Sequence, residues 1–259
     1  MRKADKVKNY SIIIFLIFVI VYSVFGIDYS GIDKISLVAI KSVLVGLFHP
    51  DWQFIYDGSG EDLISLLFLT ICIAFLGTLI ATFLALPLTL LGARTLWKTH
   101  PWIAKIGKFI CNVLRAFPEL VYAIIFVKVV GPGPFAGVLA IGIHQIGMLG
   151  KLYIEELEAM NEEVIESMDA VGAGFWQTTF FARVPELAPT CFSLALNHFE
   201  IAVRSAATLG LVGAGGIGAP MIFAIQARSW NKVGIILLGI IFTVFVIDTA
   251  TGYLRKKLQ

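Results

Sequence analysis

The residues whose types and spacing could support chemistry are charged residues within long apolar stretches. Arg115 and Glu119 lie four positions apart, and so do Glu200 and Arg204. In a helix, side chains at this spacing are neighbours on one face, where an acid and a base attract each other. Because a charge at the centre of a membrane-spanning helix costs at least about 2.5–3.5 kcal/mol, we expect Glu200 and Arg204 to face a bundle interior or another subunit.

Two interpretations of these residues stay open on the sequence alone. Asn197, Glu200, Arg204 and Thr208 lie near one helical face and could form a polar lining or a gate along a pathway through a membrane. Alternatively, each acid and base neutralise each other and only fix how the helices pack. For Arg115 and Glu119, this second interpretation applies at least as well as the first.

A histidine and three cysteines also lie in apolar stretches. A single histidine such as His144 more often hydrogen-bonds a neighbouring helix than binds a ligand, and no second histidine or acid stands at metal-ligand spacing. Cys72, Cys111 and Cys191 are scattered, which favours packing over a disulfide framework or a zinc site. We therefore predict no metal site and no catalytic residue. The candidates for a pathway or gate are Arg115, Glu119, His144, Asn197, Glu200 and Arg204.

A glycine-rich stretch at Gly213–Gly218 has the spacing G-x-G-x-x-G. A dinucleotide site with this spacing needs a preceding strand and an acid about 20 residues further on, but residues 219–247 contain no Asp or Glu. We interpret the glycines as positions of close backbone packing and sharp turns. Since no Walker A sequence is present, we predict that the chain itself binds neither ATP nor another cofactor.

Composition sets the class of protein. The chain has 259 residues, of which 58% are hydrophobic and 15% charged. A water-soluble domain cannot bury so much apolar surface. Long apolar runs, rather than alternating strands of about ten residues, predict an all-α membrane protein. The net charge of +2 gives no indication of a nucleic-acid partner.

The apolar runs predict six membrane-spanning helices, at residues 9–27, 63–93, 109–130, 135–150, 190–209 and 233–254. The second contains Pro87, where we expect a kink. An interfacial helix is expected at 35–48 and a re-entrant turn with a short helix at 210–226, although insertion of the former and a full crossing of the latter stay open. Six crossings place both basic termini and the basic loop at 94–108 on one side, which the positive-inside rule makes cytoplasmic.

The polar segment 151–189 lies between the two apolar halves and falls on the same side. Glu166–Ala170 has the pattern of the end of a helix, which Gly172 then breaks. A second short helix is predicted at Phe175–Ala182, and Pro185 and Pro189 are expected to close the segment because proline lacks the N–H that a helix interior needs. A rigid polar hairpin of this kind suits docking to a soluble partner.

This segment resembles the cytoplasmic EAA loop of ABC-importer permeases. Glu166, Gly172, Val184, Pro185 and Pro189 match its pattern, whereas Ser167 and Met168 stand where the family often has two alanines. The resemblance implies that the loop is a coupling helix which sits in a groove of an ATP-hydrolysing subunit. The residues to which it assigns this role are Glu166, Asp169, Ala170, Gly172, Phe175, Pro185 and Pro189.

Two further stretches, within residues 115–155 and 204–218, resemble the phosphonate-type permeases, which have a methionine-importer-like type I fold. Their sequences include R-A-F-P-E-L-V-Y and R-S-A-A-T-L-G-L-V-G-A-G-G-I-G. The resemblance implies a bacterial inner-membrane protein with both termini in the cytoplasm, which acts as a homodimer. It also implies two ATP-binding subunits that use ATP and Mg²⁺, and an external binding protein that delivers phosphonate or a related phosphorus oxyanion.

We expect an organisation in three parts: residues 1–62 with the first spanning helix and an interfacial or external segment, residues 63–254 as the transporter domain, and a basic tail at 255–259. The solute stays open, since a permease of this fold could carry methionine, phosphate or phosphite. So does a pair of homologous permeases in place of a homodimer. An intramembrane enzyme is a weaker alternative because no catalytic cluster is found, and a channel would not need a proline-containing loop for a partner.

Overall fold

The computed structural model describes residues 3–29, 36–56, 58 and 60–258, and within them all regular secondary structure is helical. The chain divides into two compact units, Met1–Val45 and Gly46–Gln259. Short 3₁₀ turns lie at Trp52–Ile55 and Gly210–Val212, and a π-helical turn at Thr179–Arg183. The α-helices are α1 (Lys3–Gly26), α2 (Leu37–Phe48), α3 (Leu63–Gly92), α4 (Pro101–Ala116), α5 (Glu119–Val130), α6 (Pro134–Ala159), α7 (Glu162–Ala170), α8 (Phe175–Thr178), α9 (Val184–Leu209), α10 (Gly218–Gln226) and α11 (Trp230–Leu258).

The first unit contains α1, which begins six residues before the predicted first span and overlaps it from Asn9 to Gly26. From Tyr10 to Gly26 its side chains are exposed all around the helix, as expected for a helix that lipid or another subunit surrounds. A helix lies where the interfacial helix was predicted, from Leu37 to Phe48, with Lys41 exposed, while Lys34 and Ile35 lie outside the described residues. Its interfacial location stays a prediction.

The second unit is built around α6, which packs against α3, α4, α5 and α9. Among the described residues, three helices are long and apolar enough to cross a membrane, namely α3, α6 and most of α11. This agrees with the predicted spans there, and α6 also continues beyond its apolar part into the polar segment, as predicted. Helix α3 runs without interruption through Pro87. That α1, α9 and the pair α4–α5 also cross stays a prediction.

Small residues allow the helices of this unit to approach closely. A methyl group on Gly107 of α4 would lie 2.6 Å from the Cα of Gly92 at the end of α3, and one on Gly147 of α6 would lie 2.8 Å from the carbonyl oxygen of Cys111. Membrane helices have no hydrophobic driving force toward one another, so this close contact of backbones is a main source of their packing energy.

The third span was predicted as one helix, and this prediction is wrong. The structure has two helices, α4 and α5, with a break at Phe117 and Pro118. Proline has no N–H and disfavours a helical conformation in the residue before it, so the chain stops and restarts there. As a consequence, Arg115 and Glu119 belong to different helices and do not form the predicted pair at helical spacing.

One side chain compensates for a hydrogen bond that this break removes. The hydroxyl of Tyr122 donates to the carbonyl oxygen of Leu114, the acceptor that a continuous helix would have paired with residue 118, at 2.9 Å. The imidazole of His144 on α6 lies close to the backbone carbonyl of Phe117 and to the ring of Tyr122. Unsatisfied backbone groups are costly within a membrane, so the bond from Tyr122 helps to make the break tolerable.

The prediction that Pro185 and Pro189 close the polar segment is also wrong. The helix continues from Phe175 through the π-helical turn into α9, with Pro185 in the first turn of α9 and Pro189 inside it. In the π-helical turn, the N–H of Val184 donates to the carbonyl of Thr179, five residues back. This wider turn lies directly before Pro185 and changes the register of the helix there.

The glycine-rich stretch after α9 forms a 3₁₀ turn followed by α10, as predicted. Gly213 has a φ of +88°, a conformation that other residues adopt rarely, and its carbonyl accepts from the N–H of Gly133 at 2.9 Å. A methyl group on Gly215 would lie 2.7 Å from the Cα of Pro134. The turn at Gly213–Gly215 therefore packs closely against the turn at Gly133–Pro134, which confirms the predicted close backbone packing.

We predict that Gly107→Ala destabilises the protein, because the added methyl group collides with the backbone of Gly92 and overpacking of this kind costs about 1–3 kcal/mol. Thermal unfolding of the detergent-solubilised protein should show a lower midpoint. Gly252→Ala on α11 is the matched control, since nothing lies within 4 Å of its added methyl group. Equal midpoints for the two variants would contradict the contact.

Candidate functional site

The polar hairpin consists of α7, a tight turn and α8. Asn161 caps the start of α7, accepting from the N–H of Glu163 at 3.1 Å. At the other end, Gly172 has a φ of +78°, the N–H of Gly172 donates to the carbonyl of Asp169, and that of Ala173 donates to the carbonyl of Met168. This pair of bonds is a Schellman motif, which ends a helix and turns the chain sharply. The predicted break at Gly172 is thus a fixed turn.

The residues predicted to couple to an ATPase are brought together in part. Glu166, Asp169 and Ala170 lie on the exposed surface of α7, and Gly172 and Phe175 follow at the turn and the start of α8. Pro185 and Pro189 are exposed as well, but they lie on α9, beyond the hairpin. Glu166–Phe175 therefore forms one exposed surface, from which the two prolines are separate.

An aromatic group on α8 and the π-helical turn that follows it was not predicted from the sequence. Trp176 packs against Phe175 and Phe180, with ring centroids 5.3 Å and 6.0 Å apart. Phe181 and Val171 extend the exposed apolar surface, and Phe181 is 76% exposed. The signal was present in the sequence as four aromatic residues within 175–181, in a segment that is otherwise polar. Exposed apolar patches of this kind mark interaction sites.

Arg183 joins this hairpin to the bundle from its buried side. Its side chain is buried, donates to the hydroxyl of Thr179 at 3.2 Å and lies over the ring of Phe175, 6.0 Å from the centroid. Asp169 is near enough to act on it electrostatically. Arg183 thus contacts the start of α8 through Phe175, and Asp169 on the other arm of the hairpin acts on it electrostatically.

A second polar contact joins three helices of the bundle near the end of α6, just before the hairpin begins. Glu158 accepts from the Nζ of Lys108 on α4 and from the backbone N–H of Arg94 after α3, both at 2.7 Å. Burial alone would raise the pKa of this carboxyl group, but the hydrogen bonds and charges of Lys108 and Arg94 outweigh it and hold the pKa below its ordinary value. Glu158 thus links α3, α4 and α6 beside the hairpin.

Among the pathway candidates, Glu200 does not have the predicted partner. The carboxylate of Glu200 is buried and accepts from Arg255 and Thr251 on α11. The sequence assigned Arg255 to a basic tail, whereas α11 carries it to the end of the bundle. A partner 55 positions away leaves no local signal in the sequence.

Arg204 is consequently not neutralised by Glu200. No described carboxylate lies within salt-bridge distance of it. Arg204 is exposed together with Ile201 and Thr208, and Asn197 on the same face is half-buried. Positions 197, 201, 204 and 208 form one stripe along α9, which this chain leaves uncovered. We call this stripe the polar face of α9.

The remaining candidates surround the break between α4 and α5. Glu119 lies in the first turn of α5, is half-buried and lies close to the hydroxyl of Ser205 on α9. His144 is half-buried, with its ring 6.4 Å from that of Tyr122. Arg115 donates through Nε to Asn112 at 3.2 Å. Glu119 therefore lies next to the polar face of α9, while Arg115 belongs to a separate cluster on α4.

Comparison with known proteins identifies the class of this bundle. The family model described as binding-protein-dependent transport system inner membrane component matches residues 85–259. The chain belongs to this family. It is therefore the membrane-embedded permease subunit of an ABC importer and not an enzyme, as predicted.

The similar curated proteins are also permeases. The phosphite transport system permease protein PtxC of Stutzerimonas stutzeri is 35% identical over 73% of this chain and 69% of its own length. The putative phosphite transport system permease protein HtxC of the same organism is 30% identical over 95% of this chain and 84% of its length. The phosphate-import permease protein PhnE of Mycolicibacterium smegmatis is 33% identical over 88% of this chain, which spans only 42% of that protein.

Solved structures confirm the fold. The permease is similar to a chain of the inward-facing MetNI methionine ABC transporter, with a TM-score of 0.65 over 76% of this chain and 96% of that chain, at 20% identity. A second match, an amino acid ABC transporter crystallised with histidines, has a TM-score of 0.62 over 75% of this chain and 93% of that chain, at 18% identity. These are type I importer permeases, which confirms the predicted all-α type I architecture. Membership in the family implies an inner-membrane location, ATP-binding partner subunits and a substrate-binding protein.

We predict that Glu158→Gln lowers the free energy of unfolding by about 1–2 kcal/mol at neutral pH, because a charge-assisted hydrogen-bond pair is lost. Since the pKa of Glu158 is below its ordinary value of 4.5 in the folded state, its contribution is complete above that value and disappears as the pH falls through the lower folded-state pKa. Thermal midpoints of wild type and variant, measured from pH 8 down to about pH 3, should therefore converge in acid.

Glu155→Gln is the matched control for this measurement. Glu155 pairs with Lys151 at 3.3 Å, and its side chain is 55% exposed against 24% for Glu158. An exposed pair at this helical spacing contributes about 0.3–0.5 kcal/mol, so the control should unfold close to wild type. A Glu158→Gln variant as stable as this control at neutral pH would show that the link between α3, α4 and α6 contributes little.

Proposed function

We propose that this chain is the permease of an importer for phosphorus oxyanions, that it works as a homodimer, and that its hairpin transmits movement from an ATP-binding subunit on the cytoplasmic face. The observation that carries the proposal is an exposed, internally braced hairpin on the same continuous helix as the polar face of α9. Both chain termini would lie on the hairpin's side, in the cytoplasm.

The surface of the hairpin supports docking to a protein. Trp176 and Phe181 expose large apolar area next to the acidic residues Glu166 and Asp169. Interfaces between proteins commonly have an aromatic centre and a charged rim. Arg183 and the Schellman turn fix the shape of this surface, so little conformational entropy would be lost on docking.

The polar face of α9 supports a pathway between two copies. An arginine without an acidic partner is costly against lipid, so this face needs either water or another protein chain. A second copy related by two-fold symmetry would bring its own Arg204 to the same axis, and the two guanidinium groups would attract an oxyanion. Asn197 and Thr208 would extend this polar lining, and Glu119 lies next to it.

The proposed cycle uses two packings of the bundle. Closure of the ATP-binding subunits moves the hairpins, the two copies open toward the binding protein, and hydrolysis returns them. In this cycle the substrate meets weak contacts rather than a tight site, because a site must release what it binds.

Relatives support the choice of solute. PtxC and HtxC are named as phosphite permeases and PhnE as a phosphate-import permease, at 30–35% identity, and we propose phosphonate or a closely related oxyanion. The methionine transporter resembles this chain only in its fold, at 20% identity. Stimulation of ATP hydrolysis in the reconstituted importer by phosphonate, phosphite, phosphate and methionine, each with its binding protein, would separate these solutes.

We predict that Phe181→Ala reduces coupling, because it removes an apolar side chain that is 76% exposed on the docking surface. Loss of an aromatic interface residue costs about 2 kcal/mol or more, so co-purification with the ATP-binding subunit should weaken at least about tenfold.

Phe242→Ala on α11 removes the same side chain from a position that is 69% exposed but outside the hairpin, and it should leave assembly unchanged. If both variants assemble like wild type, or if reagents added to intact cells label the hairpin from outside, the proposed docking role is wrong.

We predict that Arg204→Gln lowers oxyanion uptake about tenfold, the effect of losing one charge-assisted hydrogen bond of about 1.5 kcal/mol. Arg204→Lys should keep part of the uptake because it keeps the charge. Lys128→Gln, which removes an exposed cation from α5, should leave uptake unchanged. Normal uptake and normal substrate-stimulated ATP hydrolysis in Arg204→Gln would exclude this residue from the pathway.

A further inference from the structure

A cleft of about 270 Å³ lies between α4 and α6, away from the hairpin surface and the polar face of α9. Its polar lining consists of Lys108, Asn112, Arg115, Lys151 and Glu155. The family assignment and the proposed cycle use none of these groups. The lining holds three cations and one carboxylate, and Glu158 beside it is a second carboxylate, so the cleft has an excess of positive charge.

Two of the three cations of the cleft form ion pairs with carboxylates, and the third is available to bind an anion. Lys108 is paired with Glu158 at 2.7 Å, and Lys151 with Glu155 at 3.3 Å. Arg115 uses its Nε for Asn112, and within the part of the chain that the structure describes no carboxylate lies within salt-bridge distance of it. The two terminal amino groups of Arg115 thus carry the uncompensated charge of the cleft.

The depth of the cleft matches the level of lipid headgroups. From Pro134 to Gly150, α6 carries no charged residue, a length of about 25 Å that nearly spans the hydrocarbon core. Lys151 follows at its end. The backbone of Arg115 lies against Gly147, about one turn deeper, and a long arginine side chain reaches from there to the interface.

The cleft also borders a surface suited to acyl chains. Phe109 and Val113 of α4 are exposed large apolar residues, and on the helix they lie beside the polar group at Lys108, Asn112 and Arg115. A charged headgroup in the cleft would therefore have its hydrocarbon tails against an apolar surface. Basic pockets between membrane helices commonly bind anionic headgroups in this way.

We propose that this cleft binds a phosphate group, with the guanidinium fork of Arg115 and the ammonium of Lys151 on its oxygens and the side-chain amide of Asn112 beside them. The phosphate belongs either to an anionic lipid of the adjacent leaflet or to a free phosphorus oxyanion. In both cases the anion competes with Glu155 for Lys151, so the carboxylate of Glu155 opposes binding.

The test uses the full-length chain purified with its partner subunits. Native mass spectrometry measures retention of phosphatidylglycerol against phosphatidylcholine, and equilibrium dialysis measures binding of inorganic phosphate. We expect Arg115→Gln to weaken anion binding about fivefold, the effect of one cation near a membrane surface. We expect Glu155→Gln to strengthen binding, because it removes the competing carboxylate.

Lys105→Gln is the matched control, since it removes an exposed cation from the same helix that does not line the cleft. If phosphatidylglycerol binding follows the two opposite changes and phosphate binding does not, the ligand is a lipid headgroup, and the reverse result identifies a free oxyanion. If neither ligand responds to Glu155→Gln, or if Lys105→Gln matches Arg115→Gln, the proposal is wrong. The gain expected from Glu155→Gln keeps the test decisive even where Arg115→Gln does not fold.

Discussion

Hydrocarbon offers no hydrogen bonds, and this constraint decides how the irregular parts of the bundle are built. The break at Pro118 leaves a backbone acceptor, the carbonyl of Leu114, that the hydroxyl of Tyr122 then satisfies. The buried carboxylate of Glu200 is satisfied in the same way, by Arg255 and Thr251. At both places, the group that would lack a partner is satisfied by a side chain from the next helix or from a distant one. His144 stays a candidate for a gate, and it lies beside this break.

The sequence predicted the features that depend on composition and local pattern. Apolar runs located α3, α6 and α11, and Gly172 located the turn of the hairpin. These predictions succeeded because a bilayer requires long apolar helices and because only glycine readily adopts a positive φ at a helix end. The same reasoning recognised the glycines after α9 as packing positions rather than a nucleotide site.

The predictions that were wrong concern the effect of proline on helices and contacts between residues far apart in the sequence. Pro118 followed by an acid is a typical start of a new helix, but the apolar run on either side concealed it. Pro185 and Pro189 have the same missing N–H group as Pro118, yet the helix continues through them, as α3 continues through Pro87. The partner of Glu200 could not be predicted, since Arg204 was closer in sequence and only the packing of α11 on α9 brings Arg255 to it.

The continuity of α8, the π-helical turn and α9 gives the proposed coupling a mechanical basis. From Phe175 to Leu209 the chain is helical without interruption, a length of about 50 Å. The aromatic surface lies at one end of this rod and Arg204 near the other. A push on the hairpin therefore need not pass through side-chain contacts to reach the polar face, because the backbone hydrogen bonds of one rod transmit it. The π-helical turn is the place where the rod can change its twist, as such turns often do at functional sites. Arg183 is buried within that turn and contacts Phe175 at the start of α8, so in the proposed coupling it would help the hairpin and the rod to move together.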